Sequence, residues 1–248
     1  MSTFSADERE RYARHILLKE IGGAGQQRLK AATVAIVGVG GLGAPAALYL
    51  AAAGVGRLRL IDDDAVSLSN LQRQIVYRGA DVGAPKAARA RQVLAELNAH
   101  VDIEAEAQRL TDANAAFLLK GADVVLDGSD DFETRFAVNA ACHAAGVTLI
   151  SGAVGRWDGQ VAVFAPAGPC YRCFVPETPP DAETCARVGV VGALTGVIGS
   201  LMALEAIKHL AQAGETLAGR IFLFDGLRGE ARTVALARDP ACPVCGRG

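Results

Sequence analysis

A glycine-rich turn between a strand pattern and a helical pattern constrains this chain more than any other feature. The short apolar run 34–37 is typical of a buried strand, and an alanine-rich helical pattern over 44–53 ends at Gly54. A second apolar run, 58–61, is followed at once by Asp62. Between the first strand and the helix stand four glycines in G-x-G-x-x-G spacing with one addition: Gly38, Gly40, Gly41 and Gly43. Strand, glycine turn, helix, strand and acid together predict a βαβ nucleotide-binding unit.

The chemistry of this unit suits a polyphosphate. Glycines let backbone N–H groups approach phosphate oxygens, and the N-terminus of the following helix adds the positive end of its dipole. Asp62 lies where a ribose hydroxyl is bound in such units. The motif does not identify the nucleotide, and Asp62 with the glycine turn would also suit a nicotinamide or flavin oxidoreductase. A turn that only packs helix on strand is the purely structural alternative.

Composition excludes several classes of protein. The chain has 248 residues, of which 51% are hydrophobic, which suits one α/β domain with a covered sheet. A net charge of −2 argues against nucleic-acid binding. The apolar run 188–204 is interrupted by glycines and shorter than the roughly 20 residues of a membrane span, so we expect a buried core helix and no membrane partner. Six cysteines behind a charged N-terminus without a signal-peptide pattern favour a cytoplasmic protein with metal or reactive thiols.

The remaining patterns complete a doubly wound fold. We expect an α/β, Rossmann-like fold whose sheet is largely parallel, with an antiparallel extension and a zinc-pinned C-terminus. We expect a single domain, 1–248, with three parts. A helical arm over 5–20 ends at the glycines of 22–25, and a nucleotide-binding core covers 33–152. The crossover loop and C-terminal part cover 153–248. The expected later elements are a loop over 66–83, helices over 85–98, 112–120 and 132–145, and strands over 101–107, 122–126, 147–151 and 161–164.

Polar residues gather where ligands bind in open α/β sheets, beyond the carboxyl ends of the strands. Asn70 and Arg73 lie in the long loop after Asp62, at the mouth of the predicted site. Lys86 lies in the first turn of a helix, where a cation opposes the helix dipole. That position suggests a phosphate partner, although an ordinary surface lysine is the alternative. The acids of 127–131 follow the third strand, and acids beside a polyphosphate require a divalent cation between them.

Two C-x-x-C pairs predict a metal site. The four cysteines, Cys170, Cys173, Cys242 and Cys245, offer four thiolates and leave no open position, which is typical of structural Zn²⁺. A redox C-x-x-C is the alternative, but two matched pairs favour one shared metal. Cys142 lies in a helical pattern and is expected to be a small core residue. Cys185 lies in a polar, proline-bearing loop and is expected to be exposed.

These motifs together resemble the MoeB/ThiF/HesA family, relatives of the ubiquitin-activating enzymes. The resemblance covers nearly the whole chain, from Arg11-Tyr12-x-Arg14 to the last C-x-x-C. Its specific parts are GVGGLG at 38–43, SNLQRQ at 69–74, Pro85-Lys86, the acids of 127–130 and the paired cysteines. It implies ATP-dependent adenylation of the C-terminal Gly-Gly carboxylate of a small ubiquitin-like sulfur carrier protein. No rhodanese-like domain follows the last cysteine, so the resemblance implies a separate sulfur donor.

The resemblance also implies roles for individual residues. Gly41 would stand in the phosphate turn and Asp62 would hold the ribose. Asn70, Arg73 and Lys86 would hold the triphosphate, and Asp130 would hold Mg²⁺. Arg14 would reach across a two-fold axis into the partner's site, which implies a homodimer. The attacking carboxylate is already ionised near neutral pH, so no general base is needed.

Two positions bear on the branch of the family. Asp131 stands where the family often has asparagine after the magnesium acid. Cys185 matches a crossover-loop position that is chemically used in the thiamine branch and dispensable in the molybdopterin branch. We favour the MoeB-like, molybdopterin branch. The alternative is a ThiF-like enzyme in which Cys185 acts as a covalent relay. A non-catalytic module that only docks a carrier is a third hypothesis, which predicts a crevice without cationic groups.

Overall fold

An eight-stranded sheet forms the centre of the computed structural model, which describes residues 4–179 and 189–246. The strand order is β3-β2-β1-β4-β5-β6-β7-β8; the first five pair in parallel and β6 to β8 join antiparallel. The strands are β1 Thr33–Val37, β2 Arg57–Ile61, β3 Asp102–Glu106, β4 Val124–Asp127, β5 Thr148–Gly155, β6 Asp158–Phe164, β7 Arg220–Asp225 and β8 Glu230–Ala235. The predicted doubly wound sheet with an antiparallel extension is confirmed.

Helices cover both faces of this sheet. They are α1 Ala6–Arg11, α2 Ala13–Ile16, α3 Gly22–Ala31, α4 Gly43–Ala53, α5 Lys86–Leu97, α6 Ala115–Leu118, α7 Phe132–Ala145, α8 Tyr171–Phe174 and α9 Gly192–Ala211, with 3-10 turns at Leu68–Asn70 and Gly79–Asp81. One apolar core joins the sheet to α3, α4, α5 and α9, and a second joins the opposite face to α6, α7 and α8. Because helices cover both faces of the sheet, consecutive residues of these strands are buried and apolar. This explains the continuous hydrophobic runs in the sequence.

The N-terminal arm differs from its prediction. The expected single helix over 5–20 is divided into α1 and α2 at Tyr12, which is 3% exposed and accepts a hydrogen bond from Asn98. The glycines expected to end this helix instead open α3, because Gly25 packs against α9: a Cβ there would lie 3.5 Å from the Cβ of Ala211. Both differences come from tertiary contacts that helical periodicity does not reveal.

The other boundaries follow the predictions closely, with three changes. Strand β6 begins at Asp158, three residues before the predicted 161–164, because its first residues pair with the end of β5. Helix α7 spans the predicted residues, and α4 ends at Gly54 in the left-handed conformation. Strand β5 continues to Gly155 because β6 pairs with it antiparallel along seven residues. Helix α6 is shorter than the predicted 112–120.

Helix α9 contains most of the long apolar run. Its 20 residues and mean hydropathy of 1.3 make it the one described helix long and apolar enough to cross a membrane, and half of it is buried inside the protein. It packs against α3, α4 and β5, which agrees with the predicted core helix.

Candidate active site and cysteine cluster

The glycine turn lies where the strand order reverses. Strand β1 pairs with β2 on one side and β4 on the other, so the loops after β1 and β4 leave the sheet side by side. Gly38 adopts a φ of +79°, and a Cβ on Gly43 would lie 1.9 Å from the carbonyl oxygen of Gly38. Because no larger residue fits at Gly43, the turn requires glycine there.

A crevice of about 840 Å³ opens above this turn. It is bounded by the glycine turn, the carboxyl ends of β2 and β4, the 66–83 loop and the start of α5. The predicted residues that line it are Gly38, Gly40, Gly41, Asp62, Asn70, Arg73, Lys86 and Asp130. Gly43 lies at the start of α4 beneath the turn, and Arg14 is exposed on α2, outside this crevice.

Asp62 ties the end of β2 to the glycine turn. Its carboxylate accepts hydrogen bonds from the N–H of Val39 at 2.7 Å and from the N–H of Asp64 at 2.9 Å. Burial raises the pKa of Asp62, while the nearby Lys86 cation and these two N–H donors act in the opposite direction. The side chain is therefore a fixed acceptor at the rim of the turn.

Lys86 is held inside the site rather than at the surface. Its side chain is 6% exposed, and its Nζ lies 2.7 Å from an oxygen of Asp64. The hydroxyl of Tyr77 donates to the carbonyls of Val39, at 2.9 Å, and Lys86, at 3.2 Å, which joins the start of α5 to the glycine turn. The alternative of an ordinary surface lysine is wrong for Lys86.

Asn70 and Arg73 are positioned by their own loop. Asn70 accepts a hydrogen bond from the N–H of Ser67 at 3.1 Å, and Arg73 donates to the carbonyl of Ser69 at 3.2 Å. A Cβ on Gly41 would lie 3.6 Å from Cδ of Arg73, so the arginine stem covers the turn. The hydroxyl of Thr195 on α9 donates to the carbonyl of Gly192 at 2.7 Å and also lies 3.4 Å from the carbonyl oxygen of Arg73.

The acids after β4 have three different environments. Asp127 is fully buried and accepts hydrogen bonds from the N–H and hydroxyl of Ser129 at 3.0 and 2.6 Å. Asp130 is exposed to the crevice. Asp131 caps α7 by accepting from the N–H of Thr134 at 2.8 Å, and it lies 3.1 Å from Arg109. Asparagine and aspartate are equally good N-caps, which explains why Asp131 suits this position.

Arg135 is a buried site residue that sequence reasoning missed. It is 6% exposed and lines the crevice. It donates to the carbonyls of Ser129 and, at 2.9 Å, Gly152, and to the hydroxyl of Ser151 at 3.1 Å. The available signal was its spacing with two other α7 residues, Asn139 and Cys142, which places polar groups on the buried face of that helix.

The four predicted cysteines form one cluster. Their sulfur atoms all lie within 4.8 Å of one another, with Cys170 and Cys242 at 3.6 Å and Cys173 and Cys245 at 3.2 Å. Tetrahedral binding with bonds of about 2.3 Å requires separations of about 3.8 Å, so the cluster fits a closed four-thiolate metal site.

The other two cysteines lie outside the cluster. Cys142 is buried in the second core, where burial raises its thiol pKa to about 12. The prediction of a small core residue is therefore confirmed for Cys142. Cys185 lies outside the described residues.

Fold and site together define a Rossmann-type nucleotide-binding protein with a cationic crevice and a separate four-cysteine cluster. The chain belongs to the ThiF family, whose model matches residues 12–244, and the predicted resemblance is confirmed. It is 46% identical to the molybdopterin-synthase adenylyltransferase of Salmonella typhimurium over 249 residues, covering 100% of both chains. It is 47% identical to the sulfur carrier protein adenylyltransferase of Thermus thermophilus, covering 98% of this chain and 93% of that one. These relationships make the chain an ATP-using enzyme of the adenylyltransferase class.

Solved structures agree on the fold. The crystal structure of E. coli MccB with MccA-N7isoASN superposes with a TM-score of 0.86 at 23% identity, covering 99% of this chain and 76% of that one. At this identity the likeness concerns the arrangement of the sheet and helices.

Proposed function

We propose that this enzyme transfers AMP from ATP to the C-terminal Gly-Gly carboxylate of a small ubiquitin-like sulfur carrier protein, preparing it for thiocarboxylate formation in molybdopterin biosynthesis. The main support is that one crevice combines a phosphate-type glycine turn, the cations of Arg73 and Lys86, and the exposed acid Asp130. Such a crevice is unexpected for a module that only docks a carrier. The names of the two relatives point to the same chemistry.

The reaction forms one bond and breaks one. A carrier carboxylate oxygen attacks the α-phosphorus of ATP, and the bond between that phosphorus and the β-phosphate oxygen breaks to release pyrophosphate. Lys86 and Arg73 would offset the charge that develops on the phosphates. Asp62 would bind the ribose, Asn70 the triphosphate and Asp130 Mg²⁺, which supplies further charge neutralisation. Catalysis would then consist mainly of positioning and charge neutralisation.

A second cavity would give the carrier tail a route to the crevice. It measures about 610 Å³, lies on β5 to β8, and shares Ala153, Val154 and Gln160 with the crevice. A flexible peptide lying along these strands would reach the crevice without crossing the sheet. We propose that the carrier's last residues follow this route to the α-phosphate.

The cysteine cluster would hold one structural Zn²⁺. Four thiolates without an open position suit zinc better than a catalytic metal. We also propose a reducing cytoplasmic location, in which such thiols remain available to a metal.

A homodimer would complete the site with Arg14 from the partner chain. Several large apolar side chains are exposed on the helices of one side: Tyr49 is 57% exposed, Val197 43% and Leu204 50%. Their burial against a second copy would remove this apolar surface from water. Sulfur would come from a separate donor protein.

Carrier-dependent ATP–pyrophosphate exchange tests this function directly. We expect exchange with a carrier that ends in Gly-Gly and none with the same carrier lacking those two residues. Exchange without any carrier, or none with carriers of either pathway, would contradict the proposal. Reduction of a nicotinamide or flavin would instead favour the oxidoreductase alternative.

The thiamine-pathway carrier, with Cys185 as a covalent relay, is the alternative substrate. We expect Cys185→Ala to retain both pyrophosphate exchange and sulfur transfer from an external donor, because adenylation in the crevice requires no thiol. A variant that adenylates its carrier at the wild-type rate but transfers no sulfur would establish the relay. Wild-type protein with the same carrier and donor is the reference.

A further inference from the structure

A buried asparagine of α7 contacts the cysteine cluster directly. Asn139 is 2% exposed, and its Oδ1 accepts a hydrogen bond from the N–H of Tyr171 at 2.8 Å. Its Nδ2 lies 3.6 Å from the sulfur of Cys170 and donates to it. A donor to a metal-bound thiolate stabilises the sulfur charge and fixes the ligand's orientation. Both polar atoms of the side chain are thus used to hold the Cys170–Cys173 segment against α7.

Tyr171 extends this contact into the crevice. It lies between the two cysteines of its pair, is 4% exposed, and forms part of the crevice wall. Its ring packs against those of Phe136 and Phe164, with centroid separations of 5.9 and 5.8 Å. The guanidinium carbon of Arg135 lies 6.0 Å from the centroid of the same ring. A shift of the segment Cys170–Cys173 would therefore move the Tyr171 ring and change its contact with Arg135.

Arg135 connects Tyr171 to the loop over 128–131, which carries Asp130 and is called the Asp130 loop below. It lies four residues before Asn139 on α7, so the two share one face of the helix. Its guanidinium binds the carbonyl of Ser129, immediately before Asp130, and the carbonyl of Gly152 on β5. These hydrogen bonds set the position of the Asp130 loop relative to the sheet.

We propose that the metal-bound cysteine cluster positions the Asp130 loop through Asn139, Tyr171 and Arg135, so that zinc binding and MgATP binding strengthen each other. The proposal rests on the function proposed for the crevice and on zinc occupying the cluster. The three residues are positioning residues, since they act on the Asp130 loop rather than on the reacting carboxylate. Coupling of two binding equilibria is reciprocal, so the effect is measurable from either site.

Zinc release from the wild-type enzyme tests the coupling without any substitution in α7. We expect saturating MgATP to lower the fraction of zinc released to a colorimetric chelator at equilibrium, corresponding to zinc binding that is about fivefold tighter or more, the usual lower range of coupled binding. Arg73→Ala, which lacks a cation proposed to hold the triphosphate, controls for zinc binding by ATP itself and should show a smaller change at a MgATP concentration that saturates only the wild type. Unchanged release from wild-type enzyme that demonstrably binds MgATP would overturn the inference while leaving the proposed function intact.

The asparagine is tested by a matched pair of variants. Asn139→Ala should bind zinc about tenfold more weakly, the lower range for loss of an outer-shell partner, and should bind MgATP more weakly in calorimetry. Asn98→Ala is the control: Asn98 is equally buried and donates to the hydroxyl of Tyr12 at 2.9 Å and the carbonyl of Ala51 at 2.7 Å, away from both sites. It should lower the melting temperature but leave zinc release and MgATP affinity at wild-type values.

The outcomes separate this inference from the proposed function. If Asn139→Ala and Asn98→Ala lose MgATP affinity equally, Asn139 contributes only to overall stability. That result would overturn the coupling. Wild-type MgATP affinity in Arg73→Ala would instead contradict the proposed contact between Arg73 and the triphosphate. If Asn139→Ala does not fold, the zinc-release experiment on the wild-type enzyme decides the question alone. A purified enzyme without bound zinc would overturn the coupling.

Discussion

The crevice holds its cations in position by contacts within the protein. Lys86 is nearly buried and pairs with the exposed Asp64, while Arg73 lies over Gly41. Groups fixed in this way need little reorganisation when charge develops on a phosphate. A flexible surface lysine would not have this advantage. Burial of Lys86 therefore fixes the position of its cation, and this fixed position supports the proposed chemistry.

Replacement of Lys86 or Arg73 tests the proposed roles of these cations. We expect Lys86→Ala and Arg73→Ala each to lower carrier-dependent ATP–pyrophosphate exchange by about 100-fold or more, because each removes a preorganised charge. The melting temperature should change little, since Asp64, the partner of Lys86, is 68% exposed. Arg91→Ala, an exposed position on the same helix as Lys86, is the control. Wild-type exchange in both crevice variants would refute the assignment.

Crevice residues that belong to a motif could be predicted from the sequence, whereas Arg135 could not. Asp62, Lys86 and Arg73 follow strands or begin a helix, so topology alone predicts that they meet. Arg135 is one arginine in a helical pattern, where a solvated charge is the ordinary expectation. Its burial depends on the carbonyls of Ser129, in the loop after β4, and of Gly152, on β5. Contacts of that kind cannot be read from one segment.

At the scale of elements, the N-terminal arm depends on a buried carboxylate. Glu8 forms a capping box with Ser5 and lies 2.6 Å from Nζ of Lys30 on α3. Burial opposes ionisation, but the hydrogen bonds from Lys30 and the N–H of Ser5 outweigh it and lower the pKa of Glu8. The arm that carries Arg14 is therefore held by an interaction that requires ionised Glu8.

The pH dependence of stability tests this anchor. We expect Glu8→Gln to lower the free energy of unfolding by about 1 kcal/mol at pH 7, measured by urea denaturation. A lowered folded-state pKa stabilises the fold above the unfolded value of about 4.5, and this stabilisation is lost as the pH falls below it. The difference from wild type should therefore shrink between about pH 5 and pH 3. Glu10→Gln, an exposed position on α1, should show no such trend; a difference that grows in acid would contradict the argument.

The cysteine cluster joins α8 to the segment that carries Cys242 and Cys245. We expect about one zinc per chain by elemental analysis, and a lower zinc content and melting temperature for Cys242→Ser. The control is Cys142→Ala, which should retain zinc because Cys142 lies in the second apolar core, outside the four-cysteine cluster. Metal-free protein with the stability of the wild type would show that the cluster is not a structural metal site.

Element boundaries were predictable where the terminating signal is local. Gly54 and Gly146 adopt left-handed φ values of +78° and +65° after α4 and α7, and both helices end as predicted. Strand β5 is longer than predicted because its final residues depend on pairing with β6. The interruption at Tyr12 likewise depends on a distant partner, Asn98.

At the scale of the whole molecule, Arg14 distinguishes a shared site from an isolated one. We expect Arg14→Ala and Lys86→Ala proteins to be nearly inactive alone and to recover pyrophosphate exchange when mixed and allowed to exchange subunits. In the mixed dimer, one crevice keeps Lys86 and receives Arg14 from the partner, while the other lacks both. Light scattering would confirm the dimer. Heterodimers that form without recovering activity would contradict the shared site.

The strand order also affects how the enzyme folds. Val34 of β1 pairs with Val124 of β4, ninety residues later, whereas β5 with β6 and β7 with β8 are joined by short turns. Contacts between distant segments form slowly because a long loop must close first. We therefore expect the two hairpins to form early and the seam between β1 and β4 to close late in folding. The crevice lies on that seam, so an incompletely folded chain would already have its antiparallel hairpins while still lacking a place to bind ATP.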